Sequence, residues 1–222
     1  MTWRASFNGW RRRLLRRWLY LPLFGERSQG AERPRTRISP ATVIEHEQRL
    51  ALGDDVYIGP FNFIEASAGI SIEDGVQVTT HVVIVTHTSH RAQRLLGPAY
   101  TTWPVPAGED RPGWISGPVR IGAYSFIGPH SLIEANTDIG RGTLVCAGSF
   151  VRGRYPDFAI LEGRPARIVG DSRRADEKLL AQYPDLRVLY DSWVKAEAQA
   201  VPDTDLRDGD GGSDGAAGGP AR

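Results

Sequence analysis

Side chains able to do acid–base or phosphate chemistry gather in two places in this chain. The first is the segment THTSHRAQRLLG, in which His87 and His90 stand three residues apart. An imidazole titrates close to neutrality, so either residue can take a proton from a substrate and return it. They open a stretch, residues 86–118, that carries Trp103, Trp114, Pro98, Pro104, Pro106 and Pro112. A long loop of this kind, rich in aromatics and headed by two His, points to function. The second place is cationic, with Arg152, Arg154, Arg164 and Arg167 close together. Guanidinium groups hold phosphate oxygens through paired, planar hydrogen bonds. The single Cys146 follows Val145 in a corner position usually given to Gly or Ala, and reads as a small packing residue rather than a nucleophile.

The elements that must position these groups show a period. Aliphatic residues recur every six positions at Leu52, Ile58 and Ile64, then after a two-residue slip at Ile72, Val78 and Ile84. The same step returns at Ile121, Ile127, Ile133, Ile139, Val145 and Val151, with Ser125, Ser131, Thr137, Thr143 and Ser149 in a second register. Six residues are three strand alternations, so each unit sends the same residue inward and then turns. Three such units close a triangular coil, and stacked coils pair in parallel ladders around a narrow apolar core. Gly59, Gly122, Gly128 and Gly140 follow the inward aliphatic, where a Cβ would crowd the corner. The expected fold is therefore all-β: a left-handed parallel β-helix of six-residue repeats over 38–170, interrupted by the loop 86–118.

The flanks differ from this core. Residues 1–37 hold ten Arg against two Glu, a net excess of eight positive charges in a chain whose overall charge is only +1. Trp3, Phe7, Trp10, Leu14, Trp18 and Leu21 recur there at helical spacing among the Arg residues, which predicts an amphipathic helix stopped by Pro22. It is too short and too charged to span a bilayer, and no secretory cleavage site follows it. Residues 171–200 read as short helices separated near Pro184, and 201–222, rich in Gly and Asp, as a disordered tail. The near-neutral total charge gives no field for nucleic acid, and one Cys excludes a disulfide framework and suggests a reducing, cytoplasmic setting.

The stretch IGAYSFIGPHSLIEANTDIGRGTLVCAGSFV, followed by ILEGRPARIVG, resembles the hexapeptide-repeat acyltransferases. It is most like the branch of galactoside, maltose and xenobiotic acetyltransferases and the O-acetyltransferases of bacterial surface polysaccharides. The likeness covers roughly residues 50–170. It implies a homotrimer that moves an acetyl group from acetyl coenzyme A to a sugar, nucleotide-sugar or lipid-linked glycan, with no metal, at clefts between subunits. It also implies a His general base where the first repeat block enters the loop; His90, heading HRAQRLLG, is favoured, with His87 as the rival. Glu109 or Asp110 would orient the base if the loop folds back. For the donor, Phe126 takes the place of a Trp beside the pantetheine arm, and Pro129 the place of a residue whose backbone N–H stabilises the oxyanion. Proline has no N–H, so the sequence departs from the family there. Ala147 and Gly148 leave room for the ligand, Arg152 and Gly153 lie towards the pantetheine, and Arg167 in the closing turn takes a phosphate.

Two other readings share the fold. His81 and His130 both occupy the fourth place of a repeat, which raises a zinc enzyme like the gamma-class carbonic anhydrases, although no His pair has that family's spacing. A catalytically silent trimeric scaffold is the other. The basic N-terminal segment is read either as a peripheral contact with the anionic inner face of a membrane or as a cap or intersubunit packing element.

Overall fold

The computed structural model describes residues 3–106 and 108–195; the tail expected at 201–222 lies outside them. Two compact units divide the chain, 1–176 and 177–222.

In the first unit the chain visits three parallel sheets in rotation. The inward residues of the first sheet are Ile38, Ile58, Val78, Ile127, Val145 and Leu161, each paired with the next. Those of the second are Ile44, Ile64, Ile84, Ile133 and Val151. Those of the third are Leu52, Ile72, Ile121, Ile139 and Tyr155. Side chains from all three sheets form one buried cluster, in which Ile58, Ile64, Ile84, Ile127 and Ile133 have no exposed surface. The architecture is thus mostly β with parallel sheets and a few helices, as the six-residue period requires.

The second register is buried as well, and its hydroxyls are satisfied by backbone. Ser125 Oγ donates to the Gly140 carbonyl at 3.0 Å, and Ser149 Oγ to that of Cys146 at 2.7 Å. A small side chain that carries its own donor can close a tight corner without stranding a buried carbonyl. Glycine is needed where backbones touch: a Cβ on Gly122 would stand 2.5 Å from the Arg141 nitrogen.

The repeats end in an antiparallel hairpin, Ala159–Gly163 with Ala166–Asp171. At the other end a hairpin of Glu26–Ser28 with Ala31–Arg33 precedes the first coil, and buried Ser28 ties it down: its Oγ donates to the Leu50 carbonyl and accepts from the Leu52 N–H. Helix α1, Trp3–Leu15, leads through a π-turn, Arg16–Tyr20, to this hairpin. Helix α2, His90–Leu96, lies in the interruption, and helix α3, Arg173–Gln182, follows the repeats. In the second unit Arg187, opening helix α4 at Arg187–Val194, makes a bidentate ion pair with Glu177 at 2.8 and 2.6 Å.

Candidate active site

The two-residue slip between Ile64 and Ile72 builds the most organised polar site. Strand Phe63–Glu65 ends at a carboxylate, and the corner that follows is two residues longer than the six-residue step allows, as is the corner between Ile44 and Leu52 on the rung before. Gly69, at φ +93°, closes it by donating its N–H to the Ala66 carbonyl at 2.9 Å. The extra residues bring the Ser67 N–H back onto Glu65 Oε1 at 2.7 Å. One rung above, where Val85 pairs with Glu65, the chain leaves the coil for the loop. There the Thr86 N–H and hydroxyl both donate to Glu65 Oε2, at 3.1 and 2.8 Å. Thr86 Oγ1 in turn accepts from the Ala68 N–H at 2.9 Å.

His87 completes the arrangement, with Nδ1 2.8 Å from Glu65 Oε2 and 3.1 Å from Ser67 Oγ. Glu65 is 3% exposed, and burial alone would push its carboxyl up; the hydrogen bonds from Ser67 and Thr86 outweigh that and hold it at about 2. An ionised carboxylate only accepts, so His87 carries its proton on Nδ1 and keeps the Nε2 lone pair for another partner. The ring lies flat on Trp114, with centroids 4.6 Å apart and planes 9° from parallel.

The loop is hung on this point. His87–Thr88 pairs antiparallel with Ile115–Ser116, and the Gly117 N–H donates to the Thr86 carbonyl at 2.9 Å. Ala92 of α2 is fully buried, and Gly113 at φ +80° passes so close that a Cβ there would stand 2.9 Å from the Ala92 nitrogen. His90 sits apart from His87: it opens α2, is exposed, and its Nδ1 meets Thr88 Oγ1 at 2.9 Å. Asp110 accepts from the Ser116 hydroxyl at 2.9 Å, so the carboxylate beside a loop His is Glu65 of the preceding coil. Glu65 was not singled out in the sequence, and Trp114 was named only among the aromatics of the loop; the slip after Ile64 is the signal that marks the enlarged corner.

The residues considered for a donor lie on later rungs. Phe126 points outward and is 40% exposed. The Pro129 carbonyl accepts from the Gly148 N–H at 2.8 Å, and Gly148, at φ +73°, offers its carbonyl to Arg164 Nε at 2.5 Å. Ala147 is exposed beside it. Gly153, at φ +98°, accepts from the Asp138 N–H, and exposed Arg152 lies 3.9 Å from Glu134. Arg167, also exposed, bonds through Nη1 to the Ala166 carbonyl at 3.0 Å. Of these residues the hydrogen bonds bring together Pro129 and Gly148, with Arg164 beside them. Burial, with Glu162 adding to it, pushes the Cys146 thiol up, which suits packing better than attack. Among the described residues no group of three or more His, Cys, Asp or Glu is placed to hold a metal.

No family model matches the chain. It is 33% identical over 145 residues to a probable acetyltransferase of Mycobacterium tuberculosis, an alignment covering 65% of this chain and 45% of that protein. It is 26% identical over 83 residues to serine acetyltransferase 4 of Arabidopsis thaliana, covering 37% and 23%. The chain therefore spans less than half the length of the curated relatives it matches. In fold it is similar to a hexapeptide-repeat acetyltransferase from Vibrio cholerae, at 23% identity and a TM-score of 0.50, covering 61% of this chain and 69% of that one. The fold is that of hexapeptide-repeat proteins. Both relatives are acetyltransferases by name, and the structural neighbour is a hexapeptide-repeat acetyltransferase, the family that the repeats of this chain resemble.

Proposed function

We propose that this chain transfers an acyl group from coenzyme A to a hydroxyl of a sugar-containing acceptor, with His87 as general base. The observation that carries this reading is the buried, ionised Glu65 locked onto His87 Nδ1. An imidazole held in one tautomer at the mouth of an aromatic loop is built to exchange protons through Nε2. The thioester of the donor supplies the activated acyl group. His87 Nε2 takes the acceptor's proton as its oxygen bonds to the carbonyl carbon, and returns it to the departing sulfur. Glu65 acts as a positioning residue that stabilises the imidazolium formed in between. His90, bonded to Thr88 on an exposed helix turn, lacks such a partner carboxylate, so the preference for it drawn from the sequence is reversed in this reading.

Arg152, Arg164 and Arg167 would hold the donor's phosphates, and Phe126, Ala147, Gly148 and Gly153 would line its arm. Pro129 offers no N–H to an oxyanion, but Ala147 holds the equivalent place one rung on, because Ile127 pairs with Val145. The coil is read as a left-handed β-helix and the assembly as a homotrimer whose subunits share each site. Release of free thiol from acetyl coenzyme A, followed across a panel of sugars, nucleotide sugars and lipid-linked glycans, tests the reaction. Transfer to any of them supports it; thiol release with none, under conditions where the protein is folded and trimeric, leaves a silent scaffold.

A further inference from the structure

Helix α1 exposes a side of itself that no described residue covers. Trp3, Phe7, Trp10 and Leu14 follow one another at three- and four-residue steps on a single face. The rings run on in sequence, with centroids 6.5 Å apart from Trp3 to Phe7 and 5.9 Å from Phe7 to Trp10. No residue of the helix is buried, and Trp3 is 72% exposed. The apolar character continues through Trp18, Leu21, Leu23 and Phe24, all exposed. The helix therefore does not cap the repeats with its apolar stripe.

Cations border the stripe. The Arg4 guanidinium lies 5.8 Å from the Trp3 ring and that of Arg11 6.0 Å from Phe7, while Arg13 falls on the other flank by helical phase. Six Arg and no Asp or Glu precede Glu26. The segment is also fixed to the repeats through Tyr20: Ser39 Oγ donates to the Tyr20 carbonyl at 2.9 Å, and the Tyr20 ring lies 5.2 Å from that of Phe61. No described helix is long and apolar enough to cross a membrane.

We infer that Trp3–Leu15 is a docking surface for an anionic lipid bilayer, on which the helix lies flat. Indole and phenyl rings settle among headgroups and upper acyl chains, and long Arg stems reach out of the apolar layer to lipid phosphates. A narrow aromatic line with guanidinium groups along its borders matches a layer that is apolar below and negative above. The unbroken positive sign of residues 1–25 matches the charge of such a leaflet. Tyr20 then couples the docked helix to the repeats.

The test is co-sedimentation of the full chain with phosphatidylcholine vesicles made with and without phosphatidylglycerol, at low and high salt. The protein should sediment with the anionic vesicles at low salt, with tryptophan emission shifted to the blue. Leaving out phosphatidylglycerol or raising the salt should lower partitioning about tenfold or more. Trp3→Ser, Phe7→Ser and Trp10→Ser combined should abolish it, and because none of the three is buried the variant keeps its fold. Arg4→Gln, Arg11→Gln and Arg13→Gln combined should weaken it roughly a hundredfold, as three basic contacts are lost. Failure to sediment with anionic vesicles, or undiminished binding by the aromatic triple variant, overturns the inference. So does a fall in oligomer mass of that variant in light scattering, which would make a second copy of the chain the occupant.

Discussion

His81 and His130 stack on each other with ring centroids 4.9 Å apart, although the whole interrupting loop lies between them in sequence. Phe61 lies tilted against His81 at 5.2 Å, so one corner of the coil carries a column of rings on successive rungs. All three residues have φ near +60°, a conformation that few side chains other than Gly, Asn and Asp adopt readily. The column shows how the loop is accommodated: Val78 pairs with Ile127 in the same parallel register as Ile58 with Val78, and residues 86–118 leave and rejoin through a two-stranded ribbon. A loop attached in this way can carry a catalytic residue without disturbing the rungs that would bind a donor.

His87→Ala should lower turnover roughly a hundredfold or more, the loss expected for a general base, while His90→Ala should stay within about threefold of the parent. Thiol release from acetyl coenzyme A in the presence of an active acceptor measures both. The reverse pattern would return the role to His90.

Glu65→Gln should reduce kcat about a hundredfold with a smaller effect on KM, because an amide no longer fixes the proton on His87 Nδ1. A change confined to stability would make Glu65 purely structural. Its titration gives a second readout. The carboxyl moves from about 4.5 unfolded to about 2 folded, so its contribution is complete above pH 4.5 and fades as pH falls towards 2. Urea unfolding between pH 6 and 3 should therefore show a flatter acid limb in Glu65→Gln than in the parent chain.

The contrast between core and site in legibility has a physical origin. Inward positions such as Ile121, Ile127 and Ile133 recur at a fixed step because every rung meets the same narrow interior, so a periodic reading finds them. Glu65 escapes that reading. It lies between Ile64 and Ala66, and strand alternation alone would send it to solvent; the lengthened corner and the first residues of the loop bury it instead. His87 and His90 look alike in sequence, and only the change from ribbon to helix at Ser89 separates their surroundings. In the N-terminal segment the aromatic spacing is visible to the eye, but the exposure of that face among the described residues is a property of the folded chain.

Gly122→Ala should cost about 1–3 kcal/mol in urea unfolding, since the added Cβ would press on the backbone of Gly140 and Arg141, which cannot rotate away. Gly9→Ala, in exposed helix with nothing within 4 Å, should not lower stability. Equal effects at the two sites would mean that backbone contact between rungs is not what excludes a side chain.

Arg167 tests the donor end of the proposed site. It follows the closing hairpin turn, is exposed, and makes one hydrogen bond to the neighbouring Ala166 carbonyl, which leaves the rest of its guanidinium fork open to solvent. A charge-assisted pair with a phosphate contributes enough that Arg167→Ala should weaken acetyl coenzyme A binding about tenfold. The acceptor's KM should change little, because the phosphates lie at the far end of the donor from the reacting carbonyl. Dephospho coenzyme A locates the contact: if Arg167 holds the 3′-phosphate, the parent chain should bind this analogue about as weakly as the variant binds the complete cofactor, and the substitution should then add nothing further. Titration calorimetry with both ligands on both proteins measures the four affinities. Unchanged affinity for acetyl coenzyme A in the variant removes Arg167 from the site, and an equal loss with both ligands moves its contact to the pyrophosphate.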